Sequence, residues 1–414
     1  MLPWLGRMVS HPRQVWLITL THAINEFYSV ALPPIIPLIV SDLEISYTQA
    51  GGLLTVFYAM YSLFQLPAGR LADRVGQKRL LTLGMVGLAA GILIASVARD
   101  YPTLVAAQVV AGIGGSTYHP SGMSLISDLE SGETEGKAMG IHGFGGVAGM
   151  VAAPAIIGGL AVLYDWRIAI AVSALVGLAY ARIFATLFVV PNGNSVDDSD
   201  DLIEDIWDQS RGAESGLARR LTTALGRVTN VPLTWWYGGL CLIQFLLAFE
   251  LSTIRTFAPT YLFERTGGST GLANLIYLLM LVGGGGSTLV GGFLADRVDR
   301  RLQGFVALLL SAVGLAAVPI VPADGAVLFG WFFLLGASVF AASPAKNALA
   351  SAYSERGFSG SVYGIMMTAG AVGSASGSLV FGIVAETLGV RAAFPLIAVV
   401  GVLGATTFAL LFRI

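Results

Sequence analysis

The sequence predicts an all-α membrane protein with about twelve transmembrane helices in two pseudo-symmetric six-helix bundles. Three observations carry this reading. The first is a repeat: Gly69-Arg70-Leu71-Ala72-Asp73-Arg74-Val75 returns 223 positions later as Gly292-Phe293-Leu294-Ala295-Asp296-Arg297-Val298. The register continues at an offset of 224, pairing Gly112 with Gly336, Pro120 with Pro344, Gly140 with Gly364, Gly149 with Gly373 and Arg167 with Arg391. An offset held over so much chain marks a duplicated module. The second is composition: 55% of residues are apolar and 12% charged, with a mean hydropathy of +0.76, where soluble domains carry about 25% charged residues. The third is a series of nearly uncharged windows, each long enough, at about 20 residues, to cross hydrocarbon. A soluble protein is excluded.

The windows fall at 14–41, 47–69, 80–98, 102–127, 138–164 and 168–190, then, after a break, at 233–263, 271–295, 302–322, 325–353, 359–385 and 392–412. They divide the chain into an N-terminal bundle over 1–190, a cytoplasmic linker over 191–232 and a C-terminal bundle over 233–414. The 52 glycines suit helices whose backbones approach closely in lipid. The linker is acidic from Asp197 to Asp208 and basic from Arg211 to Arg227, and Leu202, Ile203, Ile206 and Trp207 suit a short interfacial helix. It reads as a tether between rigid bundles, with regulation as the alternative.

Charge sets the orientation. One side collects Arg7, Arg13, Arg70, Arg74, Lys78, Arg79, Lys137, Arg211, Arg219, Arg220, Arg227, Arg297, Arg300, Arg301, Arg356 and Arg413; the other has Arg99, Arg167, Arg265 and Arg391. By the positive-inside rule both termini lie in the cytoplasm of a multi-pass protein of the plasma membrane. The apolar stretch after Met1–Arg13 is too long for a signal h-region and lacks a small-residue cleavage site. The single Cys241 excludes an intrachain disulfide and a cysteine-built metal site. Four scattered histidines, no nucleotide loop and no nucleophile arrangement give no reason to expect an enzyme, a cofactor or a metal. A net charge of −2 gives none to expect a nucleic-acid partner.

Residues 69–79 place Gly69, Asp73, Arg74, Gly76, Lys78 and Arg79 in a Gly-x-Leu-Ala-Asp-Arg-x-Gly-x-Lys-Arg loop between spans two and three. With two similar halves, this resembles the major facilitator superfamily of secondary transporters. In the second copy, Asp299 stands where the second glycine would be. The resemblance implies a monomer working by alternating access on a small-molecule substrate. The loop then reads as a conformational latch: Asp73 and Arg74, with Asp296 and Arg297 in the second copy, pair with charges or helix ends in one state and release them in the other. The alternative is that these residues only anchor positive charge in the cytoplasm.

A narrower resemblance lies in the first half. His22-Ala-Ile-Asn25-Glu26, followed by Pro33-Pro34-x-x-Pro37-Leu38, is similar to the opening of fosmidomycin-resistance-type exporters, as is Tyr118-His119-Pro120 in span four. Span five carries Gly145, Gly149, Pro154, Gly158 and Gly159, resembling the glycine-rich antiporter motif, with one extra residue after the proline and Ala153 in place of a glycine. Gln108 stands where many drug/proton antiporters of the superfamily carry an arginine, so their proton scheme does not transfer.

Span one is suggestive without the family. His22, Asn25, Glu26 and Ser29 lie at i, i+3, i+4 and i+7, one polar face at mid-membrane depth. A charge there costs about 2.5–3.5 kcal/mol on insertion scales, so Glu26 must face protein or water. It reads as a proton carrier with His22 as partner; the alternative is a neutral carboxyl acting as interhelical glue. Glu250, 224 positions on, reads as the symmetry mate of Glu26 near the central axis. Asn25, Tyr58, Tyr61, Gln65, His119, Arg255 and Lys346 are the candidate substrate contacts, Tyr58, Tyr61 and Gln65 sharing one face of span two. The mid-span cations Arg255 and Lys346 serve either the substrate or the charge balance of Glu26 and Glu250.

The expected function is secondary active transport by alternating access, as proton-coupled export (antiport) of a drug or anionic metabolite. The alternatives are proton-coupled uptake of a small anionic metabolite by symport, and a non-transporting membrane sensor on a transporter scaffold.

Overall fold

The structure is a computed structural model, and it describes residues 9–131, 133–189, 235–295, 297–354 and 359–411. The linker, Asp296 and both chain ends therefore lie outside the described residues. Among the described residues fourteen α-helices build twelve spans: α1 (Pro12–Ser29) and α2 (Ile36–Leu43) form span one, followed by α3 (Tyr47–Val75) and α4 (Gln77–Ser96). Span four is α5 (Tyr101–Ser116) plus α6 (Tyr118–Leu129), then come α7 (Glu133–Leu163) and α8 (Trp166–Leu187). The second half has α9 (Trp235–Arg265), α10 (Thr270–Ala295), α11 (Arg300–Ala317), α12 (Gly325–Ser354), α13 (Ser359–Leu388) and α14 (Val390–Leu410). Ten of these spans are long and apolar enough to cross a membrane by length and composition. Span four falls short because it is broken into helices of 16 and 12 residues; α3 falls short because glycines, tyrosines, Gln65 and Pro67 lower the hydropathy of its uncharged stretch.

Local chemistry sets the boundaries. Ser46 and Gln49 close a capping box on α3, Asp100 caps α5 through Thr103 N–H, and Asp299 caps α11 through Arg301 and Leu302 N–H. Gly76 ends α3 and opens α4 at φ +85, a conformation that other residues rarely adopt. The paired arginines of the repeat do equivalent work: Arg167 donates to the Ala98 carbonyl at 3.0 Å and Arg391 to the Pro319 carbonyl at 2.9 Å. Each ties the start of the last helix of its half to the chain leaving the third span.

Each half has its own apolar core, one around Leu54, Phe57, Leu88 and Ile170, the other around Phe257, Tyr261, Phe332 and Phe394. The outward faces of α8 (Val172, Leu175, Val176) and α14 (Val399, Val402, Leu403) expose apolar side chains that suit lipid. Helices α3 with α13, and α7 with α10, join the halves. Their contacts gather toward the end opposite the basic loops. There Tyr47 bonds Glu264, Thr48 N–H bonds Glu386, and the Asn274 amide donates to the Pro34 carbonyl at 3.1 Å. Toward the basic end α7 and α10 still meet where Val147 faces Gly285, whereas Gly140, Gly143, Gly286 and Gly292 face open space. The space between the halves, the central cavity, is thus closed at the end opposite the basic loops and more sparsely contacted toward the basic end.

Candidate functional site

The cavity's polar centre is built by α1, α6 and α7. Pro120 removes a backbone donor at the α5–α6 break, and the kinked chain turns Tyr118 and His119 toward α1. On α7, glycines let the helix press against α1: a Cβ at Gly145 would strike Thr19, one at Gly146 the His22 ring, and one at Gly149 the Ala23 carbonyl. The antiporter-type glycines Gly145 and Gly149 are therefore the seam that holds span one. Further along, Gly158 packs on Asn274 of the other half, Gly159 faces open space and Pro154 lies inside α7.

Glu26 sits between two histidines. Its Oε1 is 3.8 Å from His22 Nε2 and 3.9 Å from His119 Nε2. These distances exceed a direct hydrogen bond and suit a charged pair or one intervening water. The side chains are 17% (Glu26), 12% (His22) and 38% (His119) exposed, so His119 is the group that faces the cavity most. Ser29 Oγ lies 3.4 Å from Glu26 Oε2, and the Asn25 amide donates to Tyr61 at 2.9 Å. Tyr58 donates to the Ser29 carbonyl at 3.3 Å, one turn beyond Glu26.

His22 is held by residues that its sequence neighbourhood does not announce. Its Nδ1 lies 2.9 Å from the His142 carbonyl, which only accepts, so Nδ1 carries hydrogen and the Nε2 lone pair of neutral His22 faces Glu26. Its ring stacks on His142 at 4.2 Å and on Tyr118 at 4.9 Å, while those two rings are 5.9 Å apart. That separation is too short for His22 to lie between them. Tyr118 and His142 instead form one layer over a single face of His22, with the Tyr118 hydroxyl 3.2 Å from His142 Nδ1. The arrangement fixes one tautomer of His22 and leaves the position between Nε2 and Glu26 as the place where a proton can change hands.

The second half departs from the sequence expectation. Glu250 is not the symmetry mate of Glu26 and does not lie near the central axis. It is fully buried, its Oε1 accepts from Ser311 of α11, and its Oε2 has no partner among the described residues. The reason is register. Gly149 faces the Ala23 carbonyl and Gly146 the His22 ring; 224 positions on, Gly373 faces the Phe245 carbonyl and Gly370 the Gln244 amide. Thus α13 follows α7 at an offset of 224, but α9 follows α1 at 222, since 245 − 23 and 244 − 22 both give 222. Two residues turn a helix by about 200°. The counterpart of Glu26 is therefore Ala248, and Glu250 matches Tyr28, which likewise points to the back of its bundle and bonds the Ser173 carbonyl.

Arg255 of α9 and Lys346 of α12 are the two mid-span cations of the second half. The Arg255 guanidinium stands 4.8 Å over the Phe340 ring and acts on Tyr58 of the other half, and its Nε is buried without a partner among the described residues. Lys346, 6% exposed, donates to Gln244 Oε1. Gln65 belongs to a different place: with Gly69, Arg70, Gln77, Pro120 and Ser124 it lines a cavity of about 420 Å³ at the basic end. In the charged loop of residues 69–79, Gly69 rests on Pro120, Arg74 is exposed, Lys78 is half-buried and Arg79 Nη1 is buried without a partner among the described residues. Arg297 is exposed in its turn; the Asp73 side chain and Asp296 are outside the described part. Gln108 is buried, its Nε2 unpaired among the described residues.

Residues 15–232 and 240–414 match the model of the Major Facilitator Superfamily. A probable L-galactonate transporter of Escherichia coli (strain K12) is 29% identical over 126 residues, 30% of this chain and 28% of that protein. The fosmidomycin resistance protein of the same organism is 22% identical over 290 residues, 69% of this chain and 65% of that protein. The matches to curated relatives thus span less than two thirds of their lengths. A bacterial homolog to the human lysosomal transporter Spinster, in an inward-facing and occupied conformation, has the same fold: TM-score 0.77, 18% identity, 96% of each chain covered.

Proposed function

The chain belongs to the Major Facilitator Superfamily, and from that premise we propose proton-coupled transport in which the Glu26–His22–His119 group carries the proton. It is a multi-pass membrane transporter of small molecules, and it is not an enzyme. The observation that carries the proton reading is one carboxylate within 3.8 and 3.9 Å of two imidazoles, all three side chains partly exposed. Transport then alternates between this state and one in which the basic end closes and the α3–α13 and α7–α10 contacts part. The excess of arginine at the open end supports placing it, with both termini, in the cytoplasm. On this reading the loop of residues 69–79, at the end of α3 that must move, is the latch.

Export by antiport is the direction that the likeness to the fosmidomycin resistance protein supports. It requires proton and substrate to exclude each other, so substrate binding strengthens as pH rises. A second reading, uptake of an anion with the proton, is favoured by the cations Arg255 and Lys346 in the opposite wall. An anion binds better once Glu26 is neutral, so binding weakens as pH rises. The test is solid-supported-membrane electrophysiology on proteoliposomes under a pH gradient, against a panel of anionic and amphipathic compounds. Wild type gives a substrate-dependent current and Glu26→Gln loses it while still binding. A gradient-driven current unchanged in Glu26→Gln would remove Glu26 from the proton path.

A further inference from the structure

We propose that Lys346 and Gln244 form the subsite that receives the charged group of the transported molecule, whose class is a small organic anion: a carboxylate, phosphonate or sulfonate. This rests on the central cavity being the transport path and favours the anion reading of its substrate.

The corrected register makes the subsite visible. Gln244 takes in the second half the place of His22 in the first, since Gly370 backs its amide as Gly146 backs the imidazole. At the 224 offset shared by α6 and the end of α12, Tyr118 becomes Ala342 and Gly122 becomes Lys346. The phenol that stacks on His22 is thus absent beside Gln244, and the Lys346 side chain reaches Gln244 instead. The two halves present unlike chemistry at matched positions: a carboxylate with imidazoles in one, an ammonium on a neutral amide in the other.

Lys346 is 6% exposed, and among the described residues no carboxylate lies within ion-pair distance of its Nζ. An ammonium has three donors, and the Gln244 oxygen occupies one. Burial of a cation beside a neutral partner is unfavourable unless an anion completes the site. Arg255 points to the same occupant. It lies eleven positions beyond Gln244 on α9, three turns and about 20°, hence on the same face. Its Nε is also unpaired among the described residues. An anion held by Lys346 would face Glu26 across the cavity and have a second cation toward the closed end.

The test measures binding and needs no flux. Purified wild type, Lys346→Met and Lys346→Arg are unfolded thermally, followed by tryptophan fluorescence. Each is tested in millimolar sodium gluconate, methylphosphonate or methanesulfonate, with sodium chloride at matched ionic strength and neutral sorbitol as controls. At least one organic anion raises the unfolding temperature of wild type above chloride while sorbitol does not, because a ligand that binds only the folded state stabilises it. The gain persists in Lys346→Arg and disappears in Lys346→Met. A gain that survives Lys346→Met, an equal gain from sorbitol, or no gain from any of the three anions overturns the proposal. If Lys346→Met does not fold, Gln244→Met replaces it, with the anion gain again expected to fall. Glu26→Gln run alongside separates the two readings: the anion gain is kept or raised there, because a neutral side chain at position 26 repels the anion less, so the Lys346 result stands or falls independently of whether Glu26 carries the proton.

Discussion

Tyr47 of the first half and Glu264 of the second meet across the closed end, the phenol donating to the carboxylate at 2.7 Å. At the next residue, Glu386 accepts the Thr48 N–H at 3.1 Å, so two acids of the second half hold the first turn of α3. These bonds must break when the closed end opens. Tyr47→Phe and Glu264→Gln should each cost about 1 kcal/mol of closure, or about fivefold in the ratio of states. Spin labels placed across this end would report longer distances in the variants. Unchanged distance distributions would show that apolar packing between α3 and α13 holds the end shut by itself.

The seam between α1 and α7 tolerates no side chain at Gly149, where a Cβ meets the Ala23 carbonyl. Gly149→Ala should lower stability by about 1–3 kcal/mol, the range for overpacking a close contact, and displace His22 and Glu26 with α1. Gly143→Ala, on the same helix where a Cβ meets open space, should leave thermal stability in detergent unaltered. Equal effects of the two substitutions would refute the seam.

Glu250 supplies a control for the proton path. It bonds Ser311 at the back of the second bundle, and an amide preserves that bond. Glu250→Gln should retain proton-driven current where Glu26→Gln loses it. A current lost in Glu250→Gln with normal folding would require the proton to pass through the second half.

At the basic end, Glu130 accepts N–H bonds from Ser10 at 2.8 Å and His11 at 2.6 Å, fastening the start of α1 to the loop after α6. Burial pushes the Glu130 carboxyl up, but bonds from Ser10, Thr134 and His11 outweigh it and hold the group below its ordinary value. A folded-state value that is depressed means stability present above the unfolded value and lost as pH falls through the folded one. Thermal unfolding of wild type against Glu130→Gln should therefore differ most near neutral pH, with the gap closing in acid. A gap that is independent of pH would mean that the charge of Glu130 contributes nothing.

Much of this molecule was legible in advance. The Leu-Ala-Asp-Arg-Val repeat and the uncharged windows announced the duplicated spans, because lipid forces every backbone group into helices and so writes fold into composition. The polar face of His22, Asn25, Glu26 and Ser29 was legible for the same reason, since an acid at that depth must be sheltered. The contact of His142 and Tyr118 with His22 is not legible in the sequence: they stack through space from other helices, and nothing in the spacing of α7 marks His142 except Gly146 one turn on. The symmetry match of Glu26 with Glu250 does not hold, because α1 and α9 are related by two residues fewer than the rest of the repeat.

The sequence by itself determined the membrane class, the number of spans, the two halves and the acid of span one, because hydropathy and helical period are properties of a segment alone. Only the tertiary structure decided which faces meet: that Gln244 and not Glu250 answers to the site in α1, that Lys346 lies buried on a neutral amide, and that the halves close at one end. Those facts depend on how helices rotate against one another, and a glycine's fit to a neighbouring carbonyl fixes that rotation only once both helices are packed.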